Sequence, residues 1–185
     1  MKSSLRSIGL WAAWLAAMLC MAPVRAAESD KAVPEYAMKA VYLYNFAQLT
    51  DWPASMPGNT QDMFTVCVFG QDELVIALEK LRGKTVNGKP LKVVRIGTVP
   101  EIKQCQMLYV GEGEGERGGR LFQSLRGTPV LTVTDDPLAA RQGAMLQIVP
   151  DERRLAFEVD LDAANQAQLR MSSKLLRLAK RVSGQ

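Results

Sequence analysis

Phe64-Thr65-Val66-Cys67-Val68-Phe69 is a nearly unbroken apolar run, closed by Gly70. A run this short, rich in β-branched and aromatic residues, reads as a strand buried on both faces. Downstream, Asp72 stands where a helix cap is expected, and Leu74, Leu78 and Leu81 give the next segment a helical stripe. Asn87-Gly88 is a turn signal ahead of a second strand at Leu91–Ile96, and Cys105–Val110 is a third. Gly111–Gly119, reading GEGEGERGG, is expected as an acidic loop before a short helix at Arg120–Arg126. Pro129–Thr134 is the fourth strand, and Asp135-Asp136-Pro137 looks like a cap followed by proline at the first helical position. Ala144–Val149 and Leu155–Val159 flank a turn and make an antiparallel hairpin. Ala163–Leu169 and Ser173–Val182 finish the chain as helices. Strands alternating with helices give an α/β fold: a single domain with a mostly parallel central sheet, flanking helices and an antiparallel edge hairpin.

Upstream, Met38, Tyr42, Phe46 and Leu49 recur at helical spacing with Leu43 beside them, and Val41, Tyr44 and Ala47 make the opposite side apolar too. This reads as a helix buried on more than one side, in the core or against a partner. Pro53 forces Trp52 out of helical geometry, so the helix is expected to end near Asp51.

Residues 1–26 read as a cleaved signal peptide. Lys2 and Arg6 form a basic start, Ile8–Ala22 is an apolar run too short for a comfortable span, and Val24-Arg25-Ala26 offers small-residue cleavage chemistry. The cut is expected after Ala26, with Ala27 as the alternative, leaving residues 27–185 as one domain in the periplasm of a Gram-negative cell. Without Lys2, Arg6 and Arg25, the basic count falls from 23 to twenty against 19 acids, so the mature chain is close to neutral and gives no footprint for nucleic acid. Histidine is absent from the sequence, which removes His-based triads and His-ligated zinc, and no catalytic centre, metal or cofactor is expected. Cys67 and Cys105 survive maturation; in an oxidising compartment an even pair is most simply a disulfide.

The glycine-rich loop lies between a strand and a helix, where phosphate loops sit, but its spacing is wrong for G-x-G-x-x-G and Glu112, Glu114 and Glu116 repel an anion. Asp135 and Asp136 close a strand; capping accounts for both, with Mg²⁺ or Ca²⁺ binding as the sharper alternative. The last helix is expected to carry Met171, Leu175, Leu178, Ala179 and Val182 on one face, with Ser173, Arg177, Lys180 and Arg181 on another and Lys174 beside them. Either a solvated face or a docking face results.

The chain resembles the YfiR family of small periplasmic proteins. The likeness is carried by Lys39–Phe46 with Trp52-Pro53, by Val66–Gly70, Gly83–Leu91, Cys105–Tyr109 and Leu131–Asp135, and by Phe157–Asp160 and Leu169–Ala179. It implies an α/β domain without a catalytic centre that tends to dimerise. The implied partner is the periplasmic sensor region of an inner-membrane diguanylate cyclase, which the family represses, lowering cyclic di-GMP and biofilm formation. Cys67 and Cys105 match one family pair whose oxidation is tied to stability and activity. Relatives with a further pair near the hairpin differ from this chain, which has no cysteine between Met145 and Val149.

The expected docking surface comprises Glu158 on the closing strand, Leu169, Arg170 and Met171 at the break between the last helices, and Lys174 and Arg177 beyond it. Leu169 and Met171 are expected as exposed anchors, and Leu155–Val159 as a sheet edge. The rival reading is a small-molecule binding module, with Tyr42, Tyr44, Phe46 and Trp52 lining an apolar pocket or a dimer face.

Overall fold

The computed structural model describes residues 29–56, 62–152 and 154–184. The expected signal peptide lies outside the described residues. From Ala32 onward the chain forms one compact unit.

Period-two alternation sorts the strand side chains onto two faces of one eight-stranded sheet. The first long strands are β2 (Phe64–Phe69; β1 is described below), β4 (Lys89–Arg95), β5 (Met107–Val110) and β6 (Leu131–Thr134). β7 (Leu146–Asp151) and β8 (Arg154–Asp160) form the expected hairpin. With the short strands β3 (Thr85–Val86) and β10 (Arg181–Ser183) the order is β10-β8-β7-β6-β5-β2-β4-β3. β4, β2, β5, β6 and β7 run parallel to one another, while β3 and β8 pair antiparallel with the two ends of that run. Phe64, Val66, Val68, Met107 and Tyr109 enter the core on one face, and Cys67, Phe69, Leu108 and Val110 enter the core on the other.

The first face is covered by α1 (Ser29–Gln48), α2 (Asp72–Glu79), α5 (Leu161–Gln166) and α6 (Ser173–Leu178), whose Leu43, Phe46, Leu74, Leu78, Ala164 and Leu175 join one cluster. The second is covered by a 3₁₀ helix (Val99–Gln104), α3 (Gly115–Ser124) and α4 (Pro137–Arg141). A separate antiparallel pair, β1 (Thr50–Asp51) with β9 (Arg170–Met171), ties the end of α1 to the connection between α5 and α6.

Several expectations are corrected. The last helix stops at Leu178, and Arg181–Ser183 pairs parallel with β8, so β8 is not a sheet edge and Val182 belongs to a strand. Asp72 does not cap α2; Gln71 holds the N-cap position without a side-chain bond, and Asp72 pairs with Arg95 instead. α3 begins at Gly115, because Gly118 and Gly119 let the helix lie close on Val110 and Gln142. On α1 the buried stripe is Lys39, Ala40, Leu43, Phe46 and Ala47, whereas Met38 and Val41 face solvent.

Candidate functional site

β9 and α6 carry Arg170, Met171, Lys174 and Arg177 of the residues expected to dock a partner, whereas Glu158 on β8 lies across the sheet from α6, since its neighbours Phe157 and Val159 face the α6 side. Ser172 caps α6 by accepting from Leu175 N, and Ser172 N donates to Leu49 O at 2.9 Å, which fixes the helix against the end of α1. Lys174 and Arg177 are exposed on α6, and Arg170 is exposed on β9. None of the three makes an ion pair among the described residues. Glu158 on β8 is partly covered and pairs with Arg181 of β10, whose guanidinium is thereby held above its ordinary pKa. Lys180 and Arg154 both pair with Asp151, at 2.8 and 3.2 Å; the Lys180 hydrogen bond, then the charges around it, hold that carboxyl below its usual range. Leu169 is fully buried in the main core, so the expected exposed anchor is not there; Met171 is half-buried, and Leu178 is the large apolar side chain that α6 leaves exposed, at 65%.

The four aromatics of the rival reading do not converge. Tyr42 stacks on Phe46, and both meet Phe157 edge-on, with the Tyr42 hydroxyl donating to Leu155 O at 2.6 Å. Tyr44 turns instead to β3, donating to Thr85 O at 3.2 Å. Trp52 packs edge-on against Phe64, its indole N–H donating to Gln106 O at 3.3 Å. Trp52 alone of the four lines a hollow of about 570 Å³, shared with Asp51, Pro53, Asn165, Gln168, Leu169 and Arg170. Its wall is largely polar.

Cys67 and Cys105 are joined, with Cα atoms 5.8 Å apart and both side chains fully buried on the second face of the sheet. The bond staples β2 to the end of the 3₁₀ helix, and a buried disulfide is closed to attacking thiolates in the native state.

One cluster escaped the sequence reading. Lys39, inside α1, is 4% exposed; its ammonium lies 2.6 Å from Asp135 Oδ2 and 2.6 Å from Glu35 Oε1, with the Tyr36 ring 5.3 Å away. Burial works against that charge, but the hydrogen bonds to Asp135 and Glu35 outweigh it and hold the Lys39 pKa above its ordinary value. Beside it the Tyr109 hydroxyl and Asp135 are buried together, and burial, then the Asp135 charge and a hydrogen bond to it, push the Tyr109 pKa well up. So the two aspartates part: Asp136 caps α4 through Leu138 N and Ala139 N and also accepts from Gly113 N, while Asp135 holds α1. Among the described residues no group of three or more acidic or cysteine side chains could hold a metal ion.

The crevice where open α/β sheets take ligands, at the strand-order reversal between β2 and β5, is filled by the chain itself. A Cβ at Gly70 would sit 2.4 Å from Glu114 Cγ, and one at Gly111 would sit 2.0 Å from Gln71 Cγ. Glu114 is held there by Arg117, which lies over the Phe69 ring.

A family model described as YfiR/HmsC-like matches residues 36–180. The chain belongs to that family. The family is periplasmic and regulatory rather than catalytic, and its field of action is cyclic di-GMP signalling. Among the described residues no helix is long and apolar enough to cross a membrane. Among solved structures, the chain is similar to one described as the ABC domain in complex with L-Trp from Streptococcus pneumonia. The identity is 10% and the TM-score 0.52, over 80% of this chain and 62% of that one. The chain thus spans less than two thirds of that protein, and the likeness is one of fold.

Proposed function

We propose that this protein is a non-enzymatic regulator that binds the periplasmic sensor region of an inner-membrane diguanylate cyclase and represses it, lowering cyclic di-GMP and biofilm formation. The observation that carries this reading is the family match over residues 36–180. Two features of the molecule support it. The strand-end crevice is packed with Gln71 and Glu114, leaving little room for a substrate, and the β9–α6 surface presents cations without ion pairs among the described residues, beside an exposed leucine. Arg170, Met171, Lys174 and Arg177 form the docking face in this reading, and Glu158, across the sheet and paired with Arg181, is left out of it; Leu169 acts from beneath, as the packing that holds β9 and α6 in place.

Lys174→Glu combined with Arg177→Glu, expressed in cells lacking the native gene, is expected to abolish repression. Cyclic di-GMP is the readout, and exported protein should stay at the wild-type level because both side chains are exposed. Full repression by that variant would move the interface elsewhere, to the exposed Met38–Val41 side of α1. A homodimer belongs to the same proposal and is read from the mass in solution. The small-molecule reading keeps one observation, the hollow beside Trp52; a ligand there should quench Trp52 fluorescence and lose affinity in Arg170→Ala.

A further inference from the structure

Charge is divided along this chain far more sharply than its near-neutral total implies. Residues 163–185 contain five cations, Arg170, Lys174, Arg177, Lys180 and Arg181, and no acid. The nineteen acids all lie between residues 27 and 162, against fifteen cations there. The fold exposes all five, though not on one face: Arg170, Lys174 and Arg177 stand on β9 and α6, whereas Arg181 lies with Glu158 across the sheet from α6. Asp151 and Glu158 neutralise Lys180 and Arg181, and Asp51 lies opposite Arg170 in the β1–β9 pair without an ion pair between them. Arg170, Lys174 and Arg177 keep their charge free among the described residues.

Leu178 adds an apolar element. It follows Lys174 by four residues and ends α6 65% exposed, while Leu175, one turn earlier, is buried in the core. Cations on long stems around an exposed leucine are the arrangement by which an interfacial helix meets a charged lipid surface: the heads reach the phosphates and the leucine enters the acyl boundary.

We infer that the β9–α6 face binds the anionic phospholipid surface of the membrane. The inference extends the reading above and rests on it only for which membrane is meant. The chemistry favours headgroups over a single acidic peptide. Arg170, Lys174 and Arg177 are not held in a fixed fork by neighbouring acids, and they suit a diffuse layer of negative charge better than one carboxylate. The rest of the mature chain, four charges to the acidic side, is repelled by the same layer. The molecule is thereby oriented with this face down, and the same three cations serve the lipid or a membrane partner's periplasmic region, one at a time.

The test is co-sedimentation of the purified mature protein with phosphatidylglycerol–phosphatidylcholine vesicles at low and high salt, with phosphatidylcholine vesicles as the neutral control. Binding is expected to the anionic vesicles only and to weaken with salt. Lys174→Gln with Arg177→Gln should lower the partition coefficient about tenfold or more. Leu178→Ser should lower it severalfold at unchanged charge, while Arg82→Gln, at an exposed cation of α2's trailing turn, should leave it unchanged. Failure of the wild type to bind anionic vesicles at low salt overturns the inference, and so does equal binding by wild type and the double variant. The docking reading is separable. Absent vesicle binding with repression lost in Lys174→Glu/Arg177→Glu removes the lipid and keeps the protein partner; lost vesicle binding with repression intact keeps the lipid and removes the partner from this face.

Discussion

A lysine inside a core survives only if its charge is met, and Lys39 is met twice, by Asp135 and Glu35. Removing one member of a buried pair strands the other, at a cost of about 3–5 kcal/mol, whereas replacing both by apolar groups is far milder. Lys39→Met is therefore expected to lose stability on that scale in urea unfolding, and Lys39→Met with Asp135→Leu to recover most of it. The pH dependence follows from two raised pKa values. Lys39 and Tyr109 both release their protons later in the folded protein than in the unfolded chain, whose ordinary values are 10.5 and 10.0. Their contribution is thus whole below about pH 10 and is lost as pH climbs above it. Tyr109→Phe should shrink that alkaline loss and cost about 1–3 kcal/mol at pH 7, because the hydroxyl it removes is the one that meets the buried Asp135 carboxylate. None of this was legible in the sequence. Asp135-Asp136-Pro137 reads as capping, which holds for Asp136, but which carboxylate caps and which reaches another element is decided by tertiary packing. Lys39 reads as one cation within an apolar helix. The only signal was its position one turn before Leu43 on the face that proved buried.

At the scale of elements, the strands were legible because their runs are apolar and short, and β2, β5, β6, β7 and β8 stand where that pattern put them. Helix boundaries were misplaced wherever glycine or a short polar segment spoke against a helix. α3 starts five residues before Arg120 because its glycines are there for contact, not for a turn. Gly118 is the clearest case, since a Cβ on it would lie 2.3 Å from Val110 Cγ1. Gly118→Ala gains helix propensity of about 1 kcal/mol but forces α3 off the sheet, an overpacking cost of about 1–3 kcal/mol. Net destabilisation is expected in a thermal melt, and a rise in melting temperature would show that the helix can lift at no cost. The 3₁₀ helix has a signature readable in sequence: Thr98-Val99-Pro100-Glu101 is a capping box, with Glu101 Oε2 accepting from Thr98 N at 2.9 Å. The bridge between Cys67 and Cys105 closes a separation of 38 residues, worth about 4 kcal/mol in the chain-entropy model. Cys67→Ser with Cys105→Ser should lower the melting temperature accordingly, while a variant that lost repression at unchanged stability would point to a redox role.

At the scale of the molecule, the feature that sequence periodicity could not reach is how the sheet ends. A six-residue amphipathic helix followed by three residues of strand looks, in sequence, like one longer helix, because Arg181-Val182-Ser183 is too short to show a period of its own. Its partner settles the matter: β8 offers a free edge once β7 is paired, and Lys180 N donates to Phe157 O at 2.8 Å while Ser183 Oγ donates to Val159 O at 3.1 Å. β10 is thus a cover for the edge of a seven-residue strand, and an uncovered strand of that length is a template for another chain. Truncation after Ala179 is expected to lower stability by about 2 kcal/mol, from the lost ladder bonds and Val182 packing, and to raise the apparent size in gel filtration through pairing of exposed β8 edges. Charge loss alone gives a different result. Lys180→Gln with Arg181→Gln keeps the backbone of β10, so it should retain wild-type size and nearly wild-type melting while weakening any salt-sensitive association. A truncated protein with the size and melting temperature of the full chain would mean that β8 needs no cover, and the C-terminal cations would then owe their place to binding alone.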